Sequence, residues 1–301
     1  MEEKSSVKRT IKKIMHVLNP LAGKGAAARI KDNLKGSDYV YMSKSPEDAT
    51  EFIKNTCKED PDTCFTVYGG DGTVFKAVNA LMESGYHDRA SLKIVPVGSG
   101  NDFVRSFEGK KGEFEVDVMK FNGKYAVNVI NMGFDCSVVQ RAQSIKKIPF
   151  MPGKAAYALG VVGELMQRKK LSVKITYTTE DGETLSEEGD YLLIAVGNGM
   201  WYGGGFKVTP LAKTDDGLVD LMFIRNVKTS TFINFVGDFK KGRLVDENGN
   251  TREDLKPYLV YKKCTNVKIE GCKTVCADGE IFNENVVEIS VIPKAINYVK
   301  D

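Results

Sequence analysis

The chain has 301 residues, of which 42% are hydrophobic and 28% charged, and its formal net charge is +3. These values are ordinary for a globular protein, and the length allows two domains with separate cores. A net charge this small gives no argument for a nucleic-acid-binding protein.

The cysteines, histidines and apolar runs restrict the location and the chemistry of the protein. The six cysteines show no zinc-binding CxxC pairs, no secretory signal peptide is present, and no run approaches the ~20 apolar residues of a membrane span. We therefore expect a cytoplasmic protein with reduced thiols. Because His16 and His87 are the only histidines, a general base is expected to be a carboxylate.

The first third of the chain alternates predicted strands with predicted helices. The strands are placed at 12–18, 39–42, 64–68 and 91–97, and the helices at 26–34, after the capping residue Ser45, and at 74–81. This alternation predicts an α/β domain with a parallel sheet and crossover helices.

Polar turns that contain glycine follow three of these strands, at 19–25, 69–73 and 98–102. Ligands of open α/β sheets bind outside the carboxyl ends of the strands, so the three turns should converge on one site. The glycines of 69–73 allow close backbone approach at a helix start that can bind phosphate. Asp71 in this turn would repel phosphate unless a divalent cation lay between them, which indicates a Mg²⁺-nucleotide site. A tight turn without a ligand is the alternative.

From residue 114 onwards the pattern changes to the period-2 alternation of β-strands, with a hairpin signal at Asn122-Gly123. Further strands are predicted at 171–178, 191–196, 219–224, 267–270 and 286–292, and helices near 153–168 and 229–242. We therefore expect an α/β domain over residues 1–125 and a mostly antiparallel β domain over 126–289. The last segment, 290–301, is a candidate to return to the first domain.

Six motifs, in order, resemble those of the diacylglycerol kinase catalytic-domain family of lipid kinases. They are NPLAGKG (19–25), GGDGT (69–73), GSGNDF (98–103), NVINMGFD (128–135), VGNGMWYGGGFKVTPLAKTDDGLVDL (196–221) and CADGE (276–280). GGDGT is also similar to loops of NAD kinases and phosphofructokinases, whereas the later motifs favour lipid kinases. The Walker A pattern is absent, and residues 197–203 only approximate a Rossmann GxGxxG. The resemblance implies an NAD kinase- or phosphofructokinase-like fold for the first domain.

The resemblance implies a role for each matching position. The implied ATP site comprises Asn19, Pro20, Gly23, Lys24, Gly25, Ser43, Gly69, Gly70, Asp71, Gly72, Thr73, Ser99 and Asn101. The carboxylates implied around the catalytic Mg²⁺ are Asp71, Asp102 and Asp117. Glu280 is implied as the general base that deprotonates a lipid hydroxyl, and its alternative is an exposed turn residue.

A second, structural Mg²⁺ site is implied at Asp216 with backbone groups near Lys213 and Leu218, and its alternative is an ordinary acidic turn. Two positions depart from the family pattern. Phe75-Lys76 replaces the usual Asn-Glu, which leaves Lys76 as a candidate phosphate ligand, and Ser99 replaces the commoner Thr but keeps the hydroxyl.

The implied activity is that of a Mg²⁺- and ATP-dependent lipid kinase, with diacylglycerol as the first expected substrate and phosphatidic acid as its product. Two alternatives stay open: a kinase of a soluble acceptor such as NAD, and an inactive lipid- or nucleotide-binding protein. Residues 141–170 carry seven basic side chains and one acidic one, which suits an anionic membrane surface or a solvated face. Trp201 is a candidate for an acyl-chain cleft, the core or a homodimer interface.

Overall fold

The computed structural model describes residues 13–19, 30, 34, 39–98, 100–133 and 171–301. Among these residues no helix is both long and apolar enough to cross a membrane. The described strands form one continuous sheet that runs through both halves of the chain.

In the first half, four strands pair side by side in parallel, in the order β2-β1-β3-β4. The strands are β1 (Lys13–Leu18), β2 (Tyr39–Met42), β3 (Thr63–Gly69) and β4 (Ser91–Pro96). The helices with described bounds are α1 (Pro46–Glu59), α2 (Asp71–Ser84) and the short α3 (Asp102–Arg105), and most of the helix predicted at 26–34 lies outside the described residues. Every residue of β3 is buried, as expected for a strand with neighbours on both edges and helices packed against it.

Local sequence explains where α1 begins. Ser45 accepts a hydrogen bond from the backbone N–H of Asp48 at 3.1 Å, and Pro46 occupies the first turn, where its missing N–H costs nothing. The helix start predicted at Ser45 is therefore confirmed. Ile53 and Cys57, four residues apart, bury one face of this helix.

The second half is rich in antiparallel strands, which confirms the predicted β-rich domain. Its strands are β5 (Gly112–Phe121), β6 (Lys124–Ala126), β7 (Val129–Gly133), β8 (Leu171–Thr179), β9 (Thr184–Gly197), β10 (Val219–Arg225), β11 (Leu259–Glu270), β12 (Val275–Ala277), β13 (Glu280–Phe282) and β14 (Val286–Lys300). Among the described residues of this half, the helical segments are α4 (Thr229–Lys240) and a 3-10 turn at Glu253–Leu255, and the helix predicted near 153–168 lies outside the described residues.

The last strand, β14, joins the two halves. It pairs antiparallel with β11 at its start, antiparallel with β5 along most of its length, and parallel with β4 at its end, where Asn297 lies opposite Ser91. The strand contributes to two hydrophobic clusters: Tyr298, near its end, belongs to the cluster of the first half, and Ile289, near its start, to one of the second half. The position of the domain boundary near residue 125 stays a prediction.

The hairpin predicted at Asn122-Gly123 is confirmed, because both residues have positive φ angles, 44° and 77°, and Phe121 pairs with Lys124. The period-2 pattern that follows the hairpin, at 125–130, does not form one continuous strand. β6 ends at Ala126 and β7 begins at Val129, because the intervening amides bind a side chain instead of a neighbouring strand.

Candidate active site

The turns at 69–73 and 98–102 meet at one cavity of about 410 Å³ at the carboxyl ends of β1, β3 and β4, and Asn19, the first residue of the 19–25 turn, lines it as well. The cavity is lined from these turns and from two further segments by Asn19, Ser43, Gly70, Asp71, Gly72, Thr73, Gly98, Gly100, Asp278, Gly279 and Glu280, among others. The predicted convergence is therefore confirmed for the turns at 69–73 and 98–102, whereas residues 20–25 lie outside the described residues. Gly69 and Asn101 belong to the same turns, and the carbonyl of Gly69 accepts the N–H of Val97 at 3.1 Å.

Asp71 connects the GGDGT turn with the GSGNDF turn. Its Oδ2 accepts the backbone N–H of Asn101 at 2.9 Å, and its Oδ1 accepts that of Asp102 at 2.8 Å. Asn101 has a left-handed φ of 56°, and the Asp71 carboxylate helps to hold this otherwise unfavourable conformation. Burial raises the pKa of Asp71, against the effect of these backbone donors. The side chain therefore shapes the site as well as facing the cavity.

Asp102 lies beside Asp71 and is only 4% exposed. Its Oδ2 accepts the backbone N–H of Gly204 at 2.7 Å, whereas Oδ1 has no hydrogen-bond partner among the described residues and lies 3.8 Å from Nε of Arg105. Burial, reinforced by the charge of Asp71, raises the pKa of Asp102 to about 6. This carboxylate oxygen is buried, has no hydrogen-bond donor within the described part of the chain and belongs to a side chain next to a second carboxylate. A cation would therefore stabilise it.

Glu280 reaches the GGDGT turn from the β-rich half of the chain. It follows the two-residue turn Asp278-Gly279, whose positive φ angles of 47° and 88° close the hairpin between β12 and β13. A Cβ added to Gly72 would lie 2.7 Å from Oε1 of Glu280, so the carboxylate rests against the first turn of α2. The structure thus brings together the predicted base and the predicted phosphate-binding turn.

Asp278 is a site residue that the sequence did not identify. Its Oδ2 accepts the N–H of Val127 at 2.8 Å, and its Oδ1 accepts those of Asn128 and Val129 at 3.0 and 2.9 Å. Burial raises its pKa to about 6 even though three backbone donors oppose that shift. Asp278 therefore attaches its own turn, which also positions Glu280, to the break between β6 and β7. The CADGE motif was the available signal, but its aspartate looked like an ordinary turn residue.

Asp117 is not brought to Asp71 and Asp102 by any described contact. Its Oδ2 accepts the N–H of Gly217 at 2.7 Å, and its Oδ1 accepts that of Lys294 at 2.6 Å. Burial raises its pKa, and the nearby charges of Asp216 and Asp215 add to the shift. Within the described residues no three His, Cys, Asp or Glu side chains are grouped to hold a metal ion. The described contacts therefore group Asp71 with Asp102, and the place of Asp117 around the implied Mg²⁺ stays a prediction.

The other predicted positions have different surroundings. Lys76 lines the cavity, and its Nζ lies 3.3 Å from Glu47 Oε1, while Phe75 is buried with its ring 5.8 Å from that of Phe282. Trp201 lies under Lys207, whose Nζ is 5.7 Å from the indole. The predicted positions outside the described residues are Pro20, Gly23, Lys24, Gly25, Ser99 and the basic segment 141–170.

Two family models together match almost the whole chain. Residues 13–132 match the diacylglycerol kinase catalytic domain, and residues 128–300 match the YegS C-terminal NAD kinase beta sandwich-like domain. The protein belongs to the diacylglycerol kinase catalytic-domain family. The resemblance inferred from the motifs is therefore confirmed.

Named relatives of this family align over most of the chain. A probable lipid kinase YegS-like protein of Alcanivorax borkumensis is 29% identical over 76% of this chain and 75% of its own length. A diacylglycerol kinase of Mycobacterium tuberculosis is 27% identical over 96% of both chains, and one of Bacillus subtilis is 24% identical over 86% of both. The crystal structure of a diacylglycerol kinase from Bacillus anthracis has the same fold, with a TM-score of 0.69, 21% identity and 98% of each chain covered.

Proposed function

We propose that this protein is an ATP-dependent lipid kinase that transfers the γ-phosphate of ATP to the hydroxyl of a lipid, with diacylglycerol as substrate and phosphatidic acid as product. The observation that carries the proposal is the position of Glu280. This carboxylate comes from the β-rich half of the chain and lies against Gly72, in the phosphate-binding turn of the α/β half.

The turn at the start of α2 suits the phosphates of ATP. Gly70 and Gly72 line the cavity without side chains, so a phosphate can approach the backbone there. The N-terminus of this 14-residue helix supplies free N–H groups and the positive end of the helix dipole. Lys76, one turn further along the same helix, adds a positive charge at the cavity wall.

The residues of the site also fit a Mg²⁺ ion. Asp71 and Asp102 would hold it, because Oδ1 of Asp102 has no donor among the described residues and carboxylate oxygens are the ligands that Mg²⁺ prefers. When bound, the ion would neutralise charge on the phosphates during transfer. The two carboxylates would in turn be favoured in their ionised form, against the burial that raises their pKa values.

Glu280 is proposed as the general base. Its side chain is partly exposed at the cavity, so a hydroxyl entering from solvent or from a lipid surface can reach it. The carboxylate would accept the hydroxyl proton as the oxygen attacks the γ-phosphate, and catalysis would otherwise depend on positioning. The hydrogen bonds of Asp278, together with the positive φ angles of Asp278 and Gly279, would keep this carboxylate beside Gly72.

A phosphorylation assay with labelled ATP tests the proposal. Purified protein is offered diacylglycerol in mixed micelles in one reaction and NAD in another, each with and without Mg²⁺. We expect labelled phosphatidic acid that requires Mg²⁺ and no labelled NADP. Phosphorylation of NAD instead of lipid would support the soluble-acceptor alternative and contradict the proposal, and so would absence of any transfer.

We further propose that the cytoplasmic protein contacts anionic membranes through the basic segment 141–170, a proposal that depends on sequence charge alone. Neutralising Lys146, Lys147, Lys169 and Lys170 should weaken binding to phosphatidylglycerol vesicles, and more strongly at low salt than at high salt. Unchanged vesicle binding would contradict this membrane contact.

A further inference from the structure

The acidic turn at Asp216, where the family resemblance implies a structural Mg²⁺, already contains a cation of the chain itself. Nζ of Lys263 lies 2.7 Å from Oδ2 of Asp216, and Oδ1 of Asp216 accepts the backbone N–H of Leu218 at 3.2 Å. Both oxygens of this carboxylate therefore have protein partners. Lys213, at the start of the same turn, is exposed.

The backbone register determines the position of Lys263. Strands β10 and β11 pair so that Lys263 lies directly opposite Asp220, and Nζ of Lys263 is 3.2 Å from Oδ2 of Asp220. The side chain of Asp220 is only 1% exposed, and its Oδ1 accepts the hydroxyl of Tyr261 at 2.5 Å. The ammonium group is thus held between two carboxylates by a cross-strand pair.

The charge of Lys263 is favoured at this position. Partial burial disfavours an ammonium group, but Nζ lies 2.7 Å from Asp216 and 3.2 Å from Asp220, and these two carboxylates favour its charged form. A divalent cation bound to Asp216 would lie within a few ångströms of this positive charge and would be repelled in a half-buried setting.

We propose that the ammonium group of Lys263 is the resident cation of the Asp216 turn in this protein, in the place that the family resemblance assigns to a structural Mg²⁺. The inference goes beyond the proposed kinase activity and does not depend on it. The residues of this turn do not fit a metal ion, because both oxygens of the Asp216 carboxylate already have protein partners and one of these partners is an ammonium group.

Thermal unfolding of nucleotide-free protein, in EDTA and in excess Mg²⁺, tests this proposal. The single variant Asp216→Asn should show the same Mg²⁺-dependent shift in Tm as the wild type, because Asp216 binds no Mg²⁺ in either protein. Lys263→Met should lower Tm in EDTA by about 4 °C or more, because two carboxylates lose their counter-charge. The vacated position should then accept Mg²⁺, so Mg²⁺ should raise the Tm of this variant by about 2–4 °C more than that of the wild type.

The controls separate this effect from general destabilisation. Lys262→Met, one residue earlier on the same strand and exposed, should behave like the wild type. The additional Mg²⁺ response should disappear in the double variant Lys263→Met/Asp216→Asn, and Lys263→Arg should keep the wild-type response because it keeps the charge. A Mg²⁺ stabilisation of the wild type that Asp216→Asn abolishes would overturn the proposal, even if Lys263→Met fails to fold. A folded Lys263→Met protein without additional Mg²⁺ response would overturn it as well.

Discussion

The α-carbons of Gly70 and Gly98 are in contact where the turns after β3 and β4 meet. A Cβ on Gly98 would lie 2.5 Å from the Gly70 Cα, and one on Gly70 would lie 3.0 Å from the Gly98 Cα. Because the obstructing atom is a backbone Cα in each case, rotation of a side chain cannot relieve the clash. The contact therefore fixes the separation of two turns that line the cavity.

We expect Gly98→Ala to separate these turns, to lower the free energy of unfolding by about 1–3 kcal/mol and to weaken ATP binding. Denaturant titration and nucleotide binding measure the two effects. Gly237→Ala in α4 is the matched control, because a Cβ there meets no atom within 4 Å and alanine is the better helix former. Equal stability of the two variants would contradict the importance of the contact.

Replacement of Glu280 tests the proposed base. Glu280→Gln keeps the shape of the side chain but cannot accept a proton, so turnover should fall at least ~10²-fold with little change in Tm or in ATP binding. The control is Glu288→Gln, which changes an exposed carboxylate on β14 in the same way and should keep full activity. Near-normal turnover of Glu280→Gln would remove Glu280 from the chemistry.

Asp71→Ala should differ from Glu280→Gln by affecting stability as well as turnover. The variant leaves the N–H groups of Asn101 and Asp102 without their acceptor, at a cost of about 1–3 kcal/mol in unfolding free energy. Turnover should also fall at least ~10²-fold. A variant with lost activity and wild-type stability would show that the Asp71 carboxylate does not hold the 98–102 turn.

Asp278 should prove structurally necessary. Its removal leaves the N–H groups of Val127, Asn128 and Val129 without an acceptor, so Asp278→Gly should lower the unfolding free energy by about 1–3 kcal/mol or more. Glycine is chosen because it tolerates the positive φ of this position, which separates the lost hydrogen bonds from backbone strain. Asp181→Gly, in the exposed turn between β8 and β9, serves as the control. Wild-type stability of Asp278→Gly would contradict this role.

The thiols of the described chain should react slowly in the native protein. Burial raises the pKa of Cys57 and Cys64 to about 11 and that of Cys264 to about 12, so the reactive thiolate is scarce at pH 8. In a Cys136→Ser background, reaction with a disulfide reagent should be at least ~10-fold slower in the native than in the unfolded protein. A rapidly reacting thiol in that background would show that a described cysteine is accessible.

Local signals in the sequence predicted much of the site. The cap at Ser45, the hairpin at Asn122 and the turns after β3 and β4 each depend on residues that are neighbours in the chain. The parts that were missed depend on long-range pairing. Asp278 binds the amide of Val127 across 151 positions, and Lys263 meets Asp220 across 43 because of strand register.

The grouping of Asp117 with Asp71 and Asp102 around a Mg²⁺ ion stays a prediction that comes from the motifs. Motifs give the order of residues along the chain but not their distances in space. The hydrogen bonds of Asp117 go to Gly217 and Lys294, which belong to later segments of the sequence. No periodicity in the neighbourhood of Asp117 contains this information.

The pairing of β14 with β4 has a consequence for how the protein is made. The buried amide of Asn297 donates to the carbonyl of Ala90, 207 positions earlier, and β14 covers the edge of β4 that would otherwise remain open. During synthesis, β4 emerges from the ribosome long before β14. The two strands can pair only after the whole β-rich half has been translated. The α/β half is therefore expected to complete its folding only after translation has passed residue 300, and its open sheet edge needs protection until then.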